Sequence, residues 1–588
     1  MIRTRTDRSE KLQLRKTNSE TVVKCSLRKV LVGEENHKND IIKAINKRVA
    51  ECSRRTHSAS IALNLLIREA FYSNSEIPDF MEQTFIRQLF LGTENAQSPI
   101  LAIEEIFAKY PKLVQSEEHR SAGDRNIYSF AAIKYLTNVK NHLVLNFPKI
   151  LKRYLYDYTP LTRDEAVDAL YKINNWTRRG SKNQIATSTA TEQVVQKVRS
   201  LLGLKDKDQT TDRWFKDTDN LKKVLKFFAF VSQIIESKDE KLFNLLPISK
   251  IKSHFITIDT SVIKGVLKDA GLLKCNGGGG MERELWDSVI KSSLVSGKNK
   301  TFTGTIDTDG LVANIHFTRP KNVIEKGDEE IISLEGKRVI GVDPGRTNIF
   351  FMTEELPTGR FKSYSLSRKQ YYAESGIFAA RTQSEKWNIQ VKTELEALSK
   401  TSSKSTCIHK FREYVETVLS VQEALWDQYL KRHWKEQRLR LYGGKKRVFA
   451  NFINRLNPDA NTVLAYGSAK FASGGRGEMS VPTSRAFKEC KSRIPIVLVD
   501  EFRTSKVHWK DDKILKTVVK RKEDGKLAVV RGLLWCGSTN DINKFVNRDL
   551  NAAINILRCA TLPSRPTMLD RRRATGKIVQ TRGAILKC

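Results

Sequence analysis

The chain has no CxxC pair and no long apolar run, and its acidic residues fall well short of its basic ones. Eight cysteines stand at scattered positions (25, 52, 275, 407, 490, 536, 559 and 588). That spacing fits free thiols in a reducing compartment rather than a disulfide frame. No uninterrupted apolar stretch approaches the roughly 20 residues needed to span a bilayer. Nor does any basic amphipathic segment carry the Trp/Phe-rich face that would dock on a membrane surface. The opening MIRTRTDRSEKLQLRK lacks an apolar h-region, so a secretory signal is not expected. With 66 Asp+Glu against 103 Lys+Arg, the formal net charge is +37. A folded protein carries such an excess at a cost in self-repulsion, which points to a polyanionic partner, nucleic acid rather than membrane.

The 588 residues, 40% of them apolar, suffice for roughly three to five domains. Residues 21–33, TVVKCSLRKVLVG, alternate apolar and polar positions and read as a strand. From about residue 39 to 250 apolar residues recur at three- and four-residue spacing, which reads as a helical domain. Gly277–Gly280 marks an exposed loop. Beyond it, TIDTDGLVANIHF offers two alternating runs joined at Asp309-Gly310, the signature of a hairpin with a type I′ turn. The early strand and this hairpin are candidates for one small β domain. From 336 the pattern becomes mixed α/β. Strands RVIGV, FFMTEE and RFKSYSLS precede long polar helices over about 367–441. Strands VLAYG (463–467) and IPIVLVDEF (494–502) and a final helix, RDLNAAINILRC, complete it.

Three of these elements carry carboxylates at their ends. RVIGVDPG ends a β-branched run on Asp343. Pro344 keeps Asp343 extended, and Gly345 allows a sharp turn beside it. Alone, this is equally a β-turn opened by Asp. In NRDLNAAINIL, Asn547 is placed to cap the helix and Asp549 falls in its first turn, at the edge of a stripe continued by Ala553, Ile556 and Leu557. In IPIVLVDEFRTSK, alternation from Val497 and Val499 puts Glu501 on their face and Asp500 on the other. Two strands ending in acids and one helix beginning with one form a pattern that holds two divalent ions about 3.5–4 Å apart for phosphodiester hydrolysis. Oxygen ligands select Mg²⁺ or Mn²⁺.

These segments, in this order, resemble the RuvC-type nuclease domain of the TnpB family, transposon-encoded relatives of type V CRISPR nucleases. They resemble most their eukaryotic homologues, the Fanzor proteins. Asp343-Pro344-Gly345 matches the first motif, NRDLNAAINIL the last, and DEFRTSK the Thr-Ser segment before the family's zinc-binding module. TIDTDGLVANIHF is similar to the strand region upstream of the nuclease. The resemblance implies a multidomain α/β protein: an RNase H-like RuvC nuclease domain, a helical recognition lobe and a small β-barrel-like wedge. On this basis 1–38 holds the basic N-terminus and first wedge strand, 39–250 the recognition domain and 251–335 the rest of the wedge. The nuclease domain runs over 336–501 with its helical insertion at about 367–441, and its final helix over 547–564. Between them, 502–546 is a degenerate zinc-finger-like module that binds target nucleic acid, and 565–588 is a basic tail.

The activity implied is RNA-guided DNA cleavage, with Asp343, Glu501 and Asp549 as catalytic metal ligands. Its partners are one guide RNA per protein and a target double-stranded DNA, and with the basic tails it implies a nuclear location. Two departures matter. Prokaryotic TnpB proteins usually place their middle glutamate where this chain has Gly467-Ser468-Ala469. Glu501 stands at the relocated position of many Fanzors and is preferred over Glu478 and Asp500. In place of two CxxC pairs the chain offers His508, Asp511 and Cys536 after Thr504-Ser505. A structural zinc site wants four closed ligands, so a finger held by packing is expected rather than a retained Zn²⁺.

Residues 431–448 hold eight Lys/Arg and one acid, with Trp434 and Tyr442 interleaved, and read as either a nucleic-acid surface or a solvated helix face. The tail from Arg565 has seven Lys/Arg and one acid and suits nuclear import or RNA binding. Two other classes fit the same residues: a guided binder that has lost cleavage, and a guide-independent resolvase or transposase on the RNase H-like fold.

Overall fold

A computed structural model describes the chain except residues 1–17, 93–98, 115–122, 176–187, 273–281, 292–299, 321–332, 470, 472, 475–477, 522, 524–526, 538–544 and 572–588. The glycine run 277–280 and most of the basic tail thus lie outside the described residues. The fold is mixed α/β and divides into two compact units, Met1–Lys321 with Asn388–Glu436, and Asn322–Trp387 with Gln437–Cys588. Among the described residues no helix is long and apolar enough to cross a membrane.

The first unit joins helices to a four-stranded antiparallel sheet. Its strands are β1 (Asn18–Ser26), β2 (Ile256–Ile258), β3 (Thr301–Thr308) and β4 (Val312–Pro320), in the order β1-β4-β3-β2. The N-terminal strand and the hairpin therefore share one sheet. The strand expected over 21–33 stops at Ser26, because Leu27 and Val30, three apart, are both buried by a short helix. The hairpin turn is not type I′, which needs positive φ at both central residues. Gly310 has φ +85°, but Asp309 does not take a positive φ. Instead the Asp309 carboxylate accepts from the Leu311 and Val312 amides at 3.1 and 3.0 Å, an Asx-type turn. Long helices α1 (Glu35–Tyr72), α2 (Asp124–Asp157) and α3 (Thr218–Ser237) supply the largest core, and Leu63, Leu143 and Val224 in it are fully buried.

The second unit is built on five strands: β5 (Arg338–Asp343), β6 (Asn348–Glu355), β7 (Phe361–Ser367), β8 (Thr462–Gly467) and β9 (Ile496–Val499). Their order is β7-β6-β5-β8-β9. The first three pair antiparallel, whereas β5, β8 and β9 run parallel. Alternation gives the parallel strands two different faces. One face carries Ile340, Val342, Leu464, Tyr466 and Ile496 and packs on Phe350, Phe449 and Phe452. The other carries Val339, Ala465 and Val499 and is covered by Ile556 and Leu557. Helices α4 (Arg368–Glu374), α5 (Thr483–Lys491) and α6 (Arg548–Thr561) complete this unit's principal framework, with a second sheet of β10 (Lys516–Arg521), β11 (Leu527–Trp535) and β12 (Phe545–Asn547). The ninth strand is shorter than IPIVLVDEF suggested: it ends at Val499, so Asp500 and Glu501 leave the ladder.

Candidate metal centre

Register places the ends of the parallel strands side by side. Val342 is level with Tyr466, and Gly467 with Val499, so Asp343, Gly467 and Val499 form one row across β5, β8 and β9. On the face that α6 covers, β5 reads Val339, Gly341, Asp343. Beside it β8 reads Ala465, Gly467, and β9 reads Val499 with Glu501 two residues on. Each strand thus passes from apolar residues through the row to a polar edge.

Helix α6 lies against this face because glycine and alanine let it. A Cβ on Gly341 would sit 2.3 Å from the Ala553 carbonyl oxygen, so only glycine admits the helix there. Asn547 caps α6 by accepting from the Asp549 and Leu550 amides at 3.0 and 3.1 Å. One turn before Ala553, Asp549 is brought toward Asp343, which shares a strand face with Gly341. Asn348, the first residue of β6, donates to the Asp549 carboxylate at 2.8 Å and fixes its orientation. In the sequence Asn348 is only a polar residue before an apolar run; its place at the start of the strand paired with β5 is what brings it to Asp549.

Glu501 reaches back over the end of β8. The Ala469 amide donates to its Oε1 at 3.1 Å. A Cβ built on Gly467 would lie 2.1 Å from that same oxygen, so the carboxylate occupies the space a side chain at 467 would take. Asp343 feels the charge of both other acids. Burial, then the Asp549 carboxylate, then that of Glu501 push the Asp343 carboxyl well above the ordinary carboxylate range, against the opposing charge of Arg548. Burial also raises Glu501, with Asp500 adding to it and the Ala469 hydrogen bond opposing.

The other two candidates for the middle acid lie elsewhere. Asp500 is exposed, accepts from the Phe502 amide at 3.2 Å and pairs with Arg571 at 3.3 Å. Glu478 faces Arg346, Arg368 and Arg531 at 3.8, 3.7 and 3.9 Å.

Two buried asparagines on α6 hold the Thr-Ser segment. Nδ2 of Asn551 donates to the Thr504 and Val507 carbonyls at 3.0 and 2.8 Å, and Nδ2 of Asn555 to the same pair at 2.9 and 2.7 Å. The helix that carries Asp549 therefore also anchors the turn that follows Glu501.

The segment after Thr504-Ser505 brings His508 and Asp511 together with Cys536. Nδ1 of His508 lies 2.8 Å from the Asp511 carboxylate and 3.7 Å from the Cys536 sulfur. This is the one group of three among the described His, Cys, Asp and Glu residues whose ligand atoms all fall within 4.8 Å of one another. The N, O and S donors suit Zn²⁺ better than Mg²⁺, but no fourth described ligand joins them. The Asp343, Glu501 and Asp549 oxygens are spread more widely than that.

Residues 432–448 of the basic stretch lie within one helix, Arg432–Arg455. Lys435 is buried and donates to the Asn46 side chain at 2.7 Å, and Trp434 packs on Tyr429 with centroids 5.2 Å apart. Both therefore serve the fold of the first unit. Tyr442 holds Lys446 and Arg485 over its ring at 5.1 and 5.8 Å. No family model matches this chain, and no curated protein matches it.

Proposed function

We propose that this chain is an RNA-guided DNA endonuclease whose Asp343, Glu501 and Asp549 hold divalent ions for phosphodiester hydrolysis. The observation that carries this reading is the seat of Glu501 over Gly467, beside a half-buried Asp343 whose carboxyl is raised by desolvation and then by its two acidic neighbours. A carboxyl buried among like charges is relieved by a cation, and an all-oxygen donor set fits Mg²⁺ or Mn²⁺. When bound, a pair of such ions supplies an activated water and stabilises the leaving oxygen. The chain's own residues orient the ligands: Asn348 fixes Asp549, the Ala469 amide fixes Glu501, and Arg548 tempers the charge at Asp343.

Three antiparallel strands continued by two parallel ones support an RNase H-like, RuvC-type domain. The resemblance of VDPG, DEFRTSK and NRDLNAAINIL to Fanzor proteins supports the guide RNA, and the charge of +37 supports RNA and DNA as partners. In this reading the first unit supplies the recognition lobe and wedge, one protein binds one guide RNA, and the location is nuclear. The zinc-finger-like module binds target nucleic acid.

The test begins with the full-length protein and the RNA that copurifies with it. Sequencing should return one structured RNA, and in Mg²⁺ the complex should cut a duplex matching its guide segment and spare a mismatched one. Asp343→Asn and Asp549→Asn should each lower the rate by more than about 100-fold, beyond the usual cost of removing a supporting group. Cutting that survives removal of all RNA would instead mark a guide-independent resolvase or transposase.

A second reading, a guided binder without cleavage, is favoured by one observation: the three acids do not close to 4.8 Å as the His508 group does. Tight binding of the matched duplex without cutting in Mg²⁺ or Mn²⁺ would select it.

A further inference from the structure

Three guanidinium groups converge on a single carboxylate, that of Glu478. Arg346 comes from the turn between β5 and β6, Arg368 is the first residue of α4, and Arg531 projects from β11. Both oxygens of Glu478 are involved. Oε2 lies 3.8 Å from Arg346 and 3.7 Å from Arg368, and Oε1 lies 3.9 Å from Arg531. All three distances exceed the roughly 3.2 Å limit of a good hydrogen bond. The carboxylate is therefore held by charge alone, and three cations against one anion leave an excess of positive charge.

The backbone around Glu478 is fixed more firmly than its side chain. Nη1 of Arg368 donates to the Met479 carbonyl, and the Tyr372 hydroxyl to the Ser480 carbonyl, each at 2.9 Å. The Arg368 amide donates to the Thr347 carbonyl at 2.8 Å, tying the start of α4 to the turn that follows Asp343. Arg346 is therefore only three residues beyond Asp343 and its arginine partner is anchored to the same turn. The Arg531 side chain is 83% exposed and that of Arg346 41%, so both can turn toward a larger anion.

We propose that Arg346, Arg368 and Arg531 bind a phosphodiester of the DNA strand entering the acid site, and that Glu478 occupies their centre until the strand displaces it. A phosphodiester, like a carboxylate, spreads one negative charge over two oxygens. It can also approach guanidinium groups closely enough for the paired hydrogen bonds that Glu478 does not make. The assignment of DNA rests on the nuclease reading, but binding is measurable without cleavage.

The experiment uses the full-length protein with its RNA in EDTA and follows the anisotropy of a labelled single-stranded DNA across a salt series. Glu478→Gln removes the competing charge and should tighten binding by about 3- to 10-fold, the effect of freeing one or two phosphate contacts. The double variant Arg368→Gln/Arg531→Gln should weaken binding by about 10-fold and flatten the log K against log salt slope by about 1. Glu478 and Arg531 are surface groups, so their exchange leaves the fold intact. Unchanged or weaker binding by Glu478→Gln overturns the proposal, as does an unchanged slope in the double variant. At matched ionic strength inorganic phosphate should compete no better than chloride. Competition that depends on Arg368 and Arg531 would reassign the site to a free anion and overturn its role in holding the strand. Loss of cleavage in Asp343→Asn with these binding differences retained separates this site from the metal centre.

Discussion

Gly467 makes room for Glu501 because it has no Cβ, and supplying one should carry a cost. In Gly467→Ala the new atom would fall 2.1 Å from Glu501 Oε1. Displacing a reacting-site group by about 1 Å costs on the order of 100-fold in rate, and single-turnover cleavage should show a loss of that size with little change in melting temperature. A second prediction concerns Asp343. Its carboxyl is raised in the folded, metal-free chain, so its contribution to stability is present below the unfolded carboxyl value and lost as pH rises through the raised one. Asp343→Asn should therefore melt progressively higher than the wild type, in EDTA, as pH rises through that window. Saturating Mg²⁺ should raise the wild-type melting temperature and leave the variant's unchanged. Convergence of the two metal-free curves at high pH would contradict the assignment. The acids themselves were legible in sequence as strand and helix ends. The seat of Glu501 was not, because it depends on the register of strands some thirty residues apart.

Helix α6 does two jobs, presenting Asp549 at its first turn and holding Thr504 and Val507 through Asn551 and Asn555. Asn555 is fully buried, and replacing it by Ala removes one of the two side-chain donors on each of the Thr504 and Val507 carbonyls, Asn551 keeping the other. The expected loss is about 0.5–1.5 kcal/mol, read by denaturant unfolding. Cleavage should fall in the same variant although every acid is retained, because the turn after Glu501 loses an anchor. A stability loss without any loss of rate would show that the anchor does not reach Glu501. The sequence NRDLNAAINIL announced a capped helix with a small-residue face. It did not announce what its asparagines bind, since the acceptors are backbone carbonyls some fifty residues earlier that carry no side-chain signature. Similarly, Asp309-Gly310 promised a hairpin correctly but the wrong turn, because the Asp309 side chain replaces a backbone bond that the dipeptide pattern assumes.

For the whole molecule, the charge of +37 predicts binding to nucleic acid that weakens steeply with salt. Each phosphate contact contributes about 0.7–0.9 to the slope of log K against log salt. Composition revealed that excess, but not its distribution: Lys435, read as part of a basic surface, is buried against Asn46, whereas Arg346, Arg368 and Arg531, far apart in sequence, gather around Glu478. The proposed role of Glu501, from outside the strand where an acid is absent, is to complete a metal-dependent cutting site. It is tested most directly by the cleavage rate, in Mg²⁺, of Glu501→Gln loaded with the copurified RNA and given a guide-matched duplex. The rate should fall more than about 100-fold below the wild type, with duplex binding in EDTA unchanged. Cutting at the wild-type rate would contradict it.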